Sequence, residues 1–318
     1  MHYKLKRTVF DFRRCLWPIF RTALLIGLGY IILYPIMYMI SMSFRGVEDL
    51  YNPTVNWVPI HYTFDNFKRV VEGIDYFRVL TNTAILSVGV SVILLPACSL
   101  VAYSLARFHY RGRTIILAAV LLTIVVPMGF FTSAQFLNFS HFSMFGILDM
   151  VNAFSGKNFS INLIDSLASF FVPAALGIGV RSGLYIYILM QTFKGLPKEL
   201  EEAAYIDGCG FIKTFTKIII PSSVPSFVTV FLFSLVWHWN DYQLSSMFMP
   251  NHRTLASSIK SLGSILYGAI DPSVLIDSKQ SVLDNQVACL LLIVPLLVIY
   301  LFTQRFFTDS IERTGLVE

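Results

Sequence analysis

Apolar positions run in blocks of twenty or more along this chain, and polar positions gather between the blocks. Such blocks match the ~20 residues a helix needs to cross about 30 Å of hydrocarbon. Six spans are predicted, at about 17–43, 81–106, 114–136, 166–192, 222–244 and 286–303. The reading is an all-α polytopic membrane protein. A basic N-terminal segment, 1–16, precedes a single transmembrane domain, 17–318. Arg21 lies near the start of the first span, where its charge snorkels to the interface. Pro127 predicts a kink in the third span. Arg181 falls near the middle of the fourth, a costly place for a charge.

One interval between blocks differs from the rest. Residues 196–221 form the longest charge-bearing stretch between two strongly apolar runs. Pro197 suits the first position of a helix. Glu199, Glu201 and Glu202 follow in the first turn and a half, at the positive end of the helix dipole. Leu200, Ala203 and Ala204 give a narrow apolar stripe. Asp207-Gly208 predicts a turn, with Gly208 free to take positive φ. A second short helix is expected over about 211–219, running to Pro221.

Composition agrees with the pattern. Apolar residues make up 55% of the chain and charged residues 14%, with a mean hydropathy of +0.66. Soluble domains carry about 25% charged residues, so the deficit argues for lipid. The net charge of +5 sits in the intervals between spans and gives no nucleic-acid signature. Six spans put both termini and the 196–221 loop on one side. Fourteen cations fall on that side and eight on the other, over much longer loops. The positive-inside rule then makes that side cytoplasmic. Four cysteines without C-x-x-C spacing predict no disulfide framework. Six scattered histidines predict no metal site.

A phosphate-binding G-x-x-x-x-G-K-[ST] loop is absent, and so is any catalytic constellation. The chain is therefore not expected to be an enzyme, and uphill transport would need an ion gradient or a partner. An ion-coupled carrier or a channel is the alternative, but few intramembrane carboxylates are available to bind a coupling ion, and no repeated halves are evident.

The residues Glu202-Ala203-Ala204, Asp207-Gly208, Phe215, Ile218 and Pro221 resemble the EAA loop of ABC-importer permeases. Trp57-Val58-Pro59, Asn66-Phe67, Trp239-Asn240-Asp241-Tyr242 and Gln304-Arg305-Phe306-Phe307 are similar to stretches of the maltose-type sugar permeases, in particular their shorter second subunit. Two departures are Cys209, where alanine is common, and the ending Thr314-Gly315-Leu316-Val317-Glu318. The resemblance implies a bacterial cytoplasmic-membrane permease that pairs with a second, homologous permease. Two ABC ATPase subunits would bind ATP and Mg, leaving this chain without a cofactor. An extracytoplasmic solute-binding protein would deliver an oligosaccharide. The loop would be the coupling helix seated on an ATPase, through Glu202, Ala203, Ala204, Asp207, Gly208 and Pro221. Glu202 and Asp207 would either contact the ATPase or cap their own helices.

Five residues are candidates for the substrate pathway: Arg181, Tyr185, Trp239, Asn240 and Asp241. Arg181 reads equally as a contact for a polar or anionic sugar, as a structural pair, or as the wall of a water-filled vestibule. Gly179-x-x-x-Gly183 flanks it, a spacing that favours close helix packing. Tyr185 stands one helical turn from Arg181 and offers a ring to a sugar. An interfacial aromatic belt accounts for the tryptophans as well, and Asp241 reads as a cap or gate contact.

Overall fold

The computed structural model describes residues 12–127, 129–143, 146–155, 160–268 and 278–315, and the ends of the basic segment and tail, with Lys157 and its flanking turn, lie outside them. The described residues are helical, with no strand and two isolated bridges, Arg45 to Tyr62 and Phe142 to Ile161. They divide into two compact units.

The first unit takes residues up to Val70 and the stretch Ile270–Leu291. It opens with α1, Phe12–Ser43, which carries Pro18 and Pro35 inside it. Almost every side chain of α1 up to Tyr38 is exposed, and nearly all are apolar. A helix apolar all round and unburied is a lipid-facing span. Residues 44–63 then fold back on its end. Arg45, 4% exposed, donates to the Ser41 hydroxyl at 3.0 Å and to the Asn56 carbonyl. Asp49 is fully enclosed and accepts from the backbone N–H of Ile60 and His61 at 2.7 Å each, and its other oxygen meets His61 Nδ1 at 2.7 Å. Helix α2, Asp65–Gly73, starts here. Its Arg69 Nε lies 3.1 Å from each oxygen of the buried Asp284 carboxylate.

The second unit, Val71–Ala269 and Leu292–Glu318, is a helical bundle. Its axis is α3, Tyr76–Arg107, followed by α4, Arg113–Val125, α5, Gly129–Ser140, and α6, Ile147–Ser155. Then come α7, Ala168–Ala175, α8, Ser182–Gly195, and α9, Glu199–Ile206. Helix α10, Phe211–Thr214, a π-helical segment, Phe215–Ile219, and α11, Ile220–Ser222, run into α12, Val224–Asn240. Short helices α13, Gln243–Phe248, α14, Leu255–Lys260, and α15, Leu262–Tyr267, follow. Helix α16, Ser278–Gly315, closes the chain.

Helix α3 packs against α7, α8 and α12. Leu86, Val90, Leu94, Cys98, Ala102 and Leu105 recur at three- and four-residue spacing and are all buried, whereas Ile85, Val88, Val92 and Leu100 are equally apolar and exposed. Polar side chains inside α3 satisfy themselves locally. The Thr83, Ser87 and Ser91 hydroxyls each donate to the carbonyl four residues back, as a bilayer requires. Ser91 also reaches Ser234 of α12 at 2.9 Å. In lipid, helices gain nothing from excluding water, so close packing decides their association. Gly183 shows it: a Cβ there would lie 2.8 Å from the Val120 carbonyl of α4.

Three helices are long and apolar enough to cross a membrane, or up to five if each bent pair counts as one span. The predicted third span is such a pair, α4 and α5, bent by 105° beside Pro127. The predicted fourth span is corrected most. It is two helices, α7 and α8, parted by a break in which Gly177 (φ +71°) and Arg181 (φ +58°) take left-handed backbone. The expected small-residue pair divides with it, for Gly179 lies in the break against Ala174 and only Gly183 packs on another helix. The fifth helix ends at Asn240, four residues sooner than expected.

Candidate functional site: the 196–221 loop and the break before α8

Helix α8 ends at Gly195, and Leu196 turns extended (φ −72°, ψ 139°). Helix α9 starts at Glu199 rather than at Pro197, because Lys198, not proline, supplies the carbonyl that accepts from Glu201 and Glu202. At its other end, Gly208 N–H bonds to the Tyr205 carbonyl and Cys209 N–H to the Ala204 carbonyl, at 3.1 and 2.9 Å. This is the Schellman turn, in which a left-handed residue lets the two N–H groups reach back. Gly208 fills that place at φ +76°, and a Cβ there would meet nothing within 4 Å. Backbone conformation, not crowding, therefore asks for glycine. After α10 the chain widens, with Ile220 N–H bonding to Phe215 O, five residues back. Pro221, exposed, has no N–H to restore the ordinary ladder.

The loop is anchored by a contact that the sequence pattern did not reveal. Arg107, the last residue of α3, sets Nε 2.7 Å from Glu201 Oε1, and the two side chains are only 7% and 11% exposed. The ε N–H is not aimed along that line; the guanidinium's Nη2 donates instead to the Leu196 carbonyl at 2.8 Å. Each charge sits at its favoured helix end, the cation in the last turn of α3 and the carboxylate in the first turn of α9. Around them Tyr103 touches Phe193, Phe211 and Phe215, with ring centroids 5.8, 5.5 and 4.9 Å away.

This anchor rotates α9 from its expected setting. The buried face is Glu201 and Ala204, whereas Leu200 and Ala203 are exposed. Glu202, Asp207 and Gly208 are exposed too. Neither Glu202 nor Asp207 caps α9, and no described residue donates to either carboxylate. Ile206 and Ile212 stand 86% and 73% exposed at the tip of the loop. Sequence reasoning passed over both, although an isoleucine beside a polar turn is the available signal.

The candidates for a substrate pathway do not converge. Tyr185 is fully buried in the bundle. Trp239 is 1% exposed and donates Nε1 to the Leu292 carbonyl at 3.1 Å. Asn240 bonds back to Val236 O. Asp241 accepts from the Leu244 and Ser245 N–H groups, at 3.2 and 2.9 Å, at the start of α13. Arg181 alone borders open space. Its guanidinium carbon lies 3.4 Å from the centre of the Trp237 ring, and it lines a cleft of ≈ 150 Å³ with Thr123, Ile124, Val126, Pro127 and Leu184.

Long apolar helices around a bundle, with an exposed helical hairpin between two of them, define a polytopic transport permease. The chain belongs to the family described as the binding-protein-dependent transport system inner membrane component, matched over residues 30–313. It is thus a permease subunit of an ABC importer, a membrane protein of a family of transport permeases, not enzymes. It is similar to the maltodextrin transport system permease protein of Bacillus subtilis (strain 168), 24% identical over 291 residues, covering 91% of this chain and 92% of that one. It is also similar to the polygalacturonan/rhamnogalacturonan transport system permease protein of the same organism, 26% identical over 226 residues, covering 71% and 70%. In fold it matches a bacterial ABC transporter involved in the import of the acidic polysaccharide alginate, with a TM-score of 0.66 and 19% identity, over 96% of this chain and all of that one.

Proposed function

We propose that this subunit forms half of a sugar-conducting pore in a bacterial cytoplasmic membrane, and that residues 196–221 couple it to ATPases. Six crossings are assigned: α1, α3, the pair α4–α5, the pair α7–α8, α12 and α16. The cation bias places both termini and the loop in the cytoplasm. A second, homologous permease completes the pore. Two ABC subunits bind ATP and Mg and drive it, and an extracytoplasmic binding protein delivers an oligosaccharide. Relatives named for maltodextrin and for polygalacturonan support a saccharide cargo.

The observation that carries this reading is the outward face of the hairpin. Glu202, Asp207, Ile206 and Ile212 are exposed while Glu201 and Ala204 fasten it inward. Ala203 lets a partner approach closely, Gly208 sets the turn, and Pro221 directs the return toward α12. Gly208→Pro forbids the positive φ and removes the N–H that bonds to Tyr205. Its expected phenotype is normal membrane insertion, loss of uptake to background and failure to co-purify with the ATPases. Wild-type uptake by that variant would remove the coupling assignment.

A further inference from the structure

Two basic side chains lie at opposite ends of α8, and only one has a carboxylate. Arg107 meets Glu201, whereas among the described residues no carboxylate pairs with Arg181 and no oxygen accepts from its side chain. From Ser182 to Gly195, α8 rises roughly 20 Å at about 1.5 Å per residue. Arg181 is thus well inside the ~30 Å of a bilayer core, where an unpaired cation is costly. The backbone holds it there in a left-handed conformation that arginine rarely adopts, φ +58°, ψ 17°. Such strain clusters at ligand-contacting positions.

The packing around Arg181 explains what kind of ligand fits. Trp237 supports one flat face of the guanidinium at 3.4 Å. A guanidinium stacked in this way keeps the edges of its plane open, and those edges carry the paired N–H groups that match a carboxylate. The adjoining cleft is otherwise apolar apart from Thr123, whose hydroxyl already donates to the Val120 carbonyl. At ≈ 150 Å³ it takes one anionic substituent, not a whole sugar chain. The groups present therefore provide one cation, two unused donor edges and no competing anion.

We propose that Arg181, held by Trp237, receives the carboxylate of an acidic sugar residue as it passes, which makes the cargo an oligouronate rather than a neutral oligosaccharide. The inference rests on the importer reading above and adds its substrate class. A neutral sugar leaves the cation unpaired, and an oligouronate pairs it.

The test uses the complete importer, with its ATPases and one unchanged binding protein, in liposomes of phosphatidylcholine with or without phosphatidylglycerol. Uptake of tetragalacturonate and of maltotetraose is measured under identical conditions. Wild type is expected to favour tetragalacturonate. Arg181→Gln should lower the tetragalacturonate-to-maltotetraose ratio at least tenfold, Arg181→Lys less, and Trp237→Leu by severalfold, with assembly checked by gel filtration. If Arg181→Gln does not assemble, the Lys and Leu variants decide the matter. Equal loss of both saccharides in every assembled variant, or a wild-type preference for maltotetraose, overturns the proposal and leaves the importer intact. A response only to phosphatidylglycerol reassigns Arg181 to a lipid phosphate and also overturns it. Failure of wild type to import either saccharide with ATP overturns the sugar-importer reading itself.

Discussion

Arg107 and Arg181 share a side chain, a helix neighbourhood and a bilayer, yet they are used in opposite ways. Arg107 is closed in by Glu201, the Leu196 carbonyl and a wall of aromatic rings. Arg181 has a tryptophan beneath it and a cleft before it. The first holds a loop in place. The second presents a charge to whatever enters. The difference comes from backbone, not composition. Arg107 ends a continuous 32-residue helix at the level of the loop, where a carboxylate is available. Arg181 sits in a break between two short helices, in a region of the bundle without acidic side chains in reach.

The comparison can be broken most decisively at Arg107. Removing one partner of a buried ion pair leaves the other charge stranded, at a cost of about 3–5 kcal/mol. Arg107→Ala and Glu201→Ala should each destabilise the complex by that order in detergent unfolding and uncouple ATP hydrolysis from uptake. The double variant should cost much less than the sum of the two, since no orphan charge remains. Additive losses would show that the ion pair does not tie the loop to α3.

A smaller effect sharpens the other side of the contrast. Gly183→Ala pushes a methyl into the Val120 carbonyl and moves α8 away from α4, which lines the Arg181 cleft. Overpacking of this kind costs about 1–3 kcal/mol. The expected outcome is a lowered melting temperature and a widened cleft, read as faster labelling of a cysteine placed at Thr123. A variant with unaltered melting and labelling would mean that α8 can shift without disturbing the cleft.

The smallest predicted effect is a pH response in the first unit, at a solvent-facing pair that both arginines lack. The hydrogen bond to Asp49 raises the His61 pKa above its usual 6.5, helped by the charges of Asp49 and Glu48 against a little desolvation. Burial pushes the Asp49 carboxyl up, but the His61 and Ile60 bonds outweigh it and hold it below 3.8. The His61 contribution is therefore complete below pH 6.5 and disappears as pH rises through the raised value. The Asp49 contribution is present above 3.8 and disappears as pH falls through the lowered one. Amide exchange at Ile60 and His61 should be slowest between about pH 4 and 6.5 once intrinsic rates are divided out. His61→Asn should flatten the alkaline side, and an unchanged profile would exclude the pair as its source.

Much of this architecture could be read from residues alone, for identifiable reasons. Gly208 was legible because only a positive φ closes the turn after α9, and that demand leaves a glycine in the sequence. The spans were legible as apolar blocks. The break before α8 was not, because hydropathy is blind to φ and residues 168–180 are as apolar as a continuous span. Rotation of α9 was hidden for another reason. A stripe of Leu200, Ala203 and Ala204 outranks a glutamate on any apolar scale, and only the position of Arg107, some ninety residues earlier, turns Glu201 inward. Trp239 and Trp237 look alike in sequence, yet one is a packed anchor and the other supports a cation.

That last distinction is set from a distance. The π-helical segment Phe215–Ile219 contains one residue more than an α-helical path of the same course would hold. Deleting a single residue there would restore the ordinary winding and turn everything downstream by roughly 100°, the angle of one residue in an α-helix. Trp237 would then swing off Arg181 and Trp239 would leave its seat, with no side chain near either having been altered. The five residues 215–219 thus act as a phase setting for α12, fixing by winding alone which face of that helix looks into the cleft.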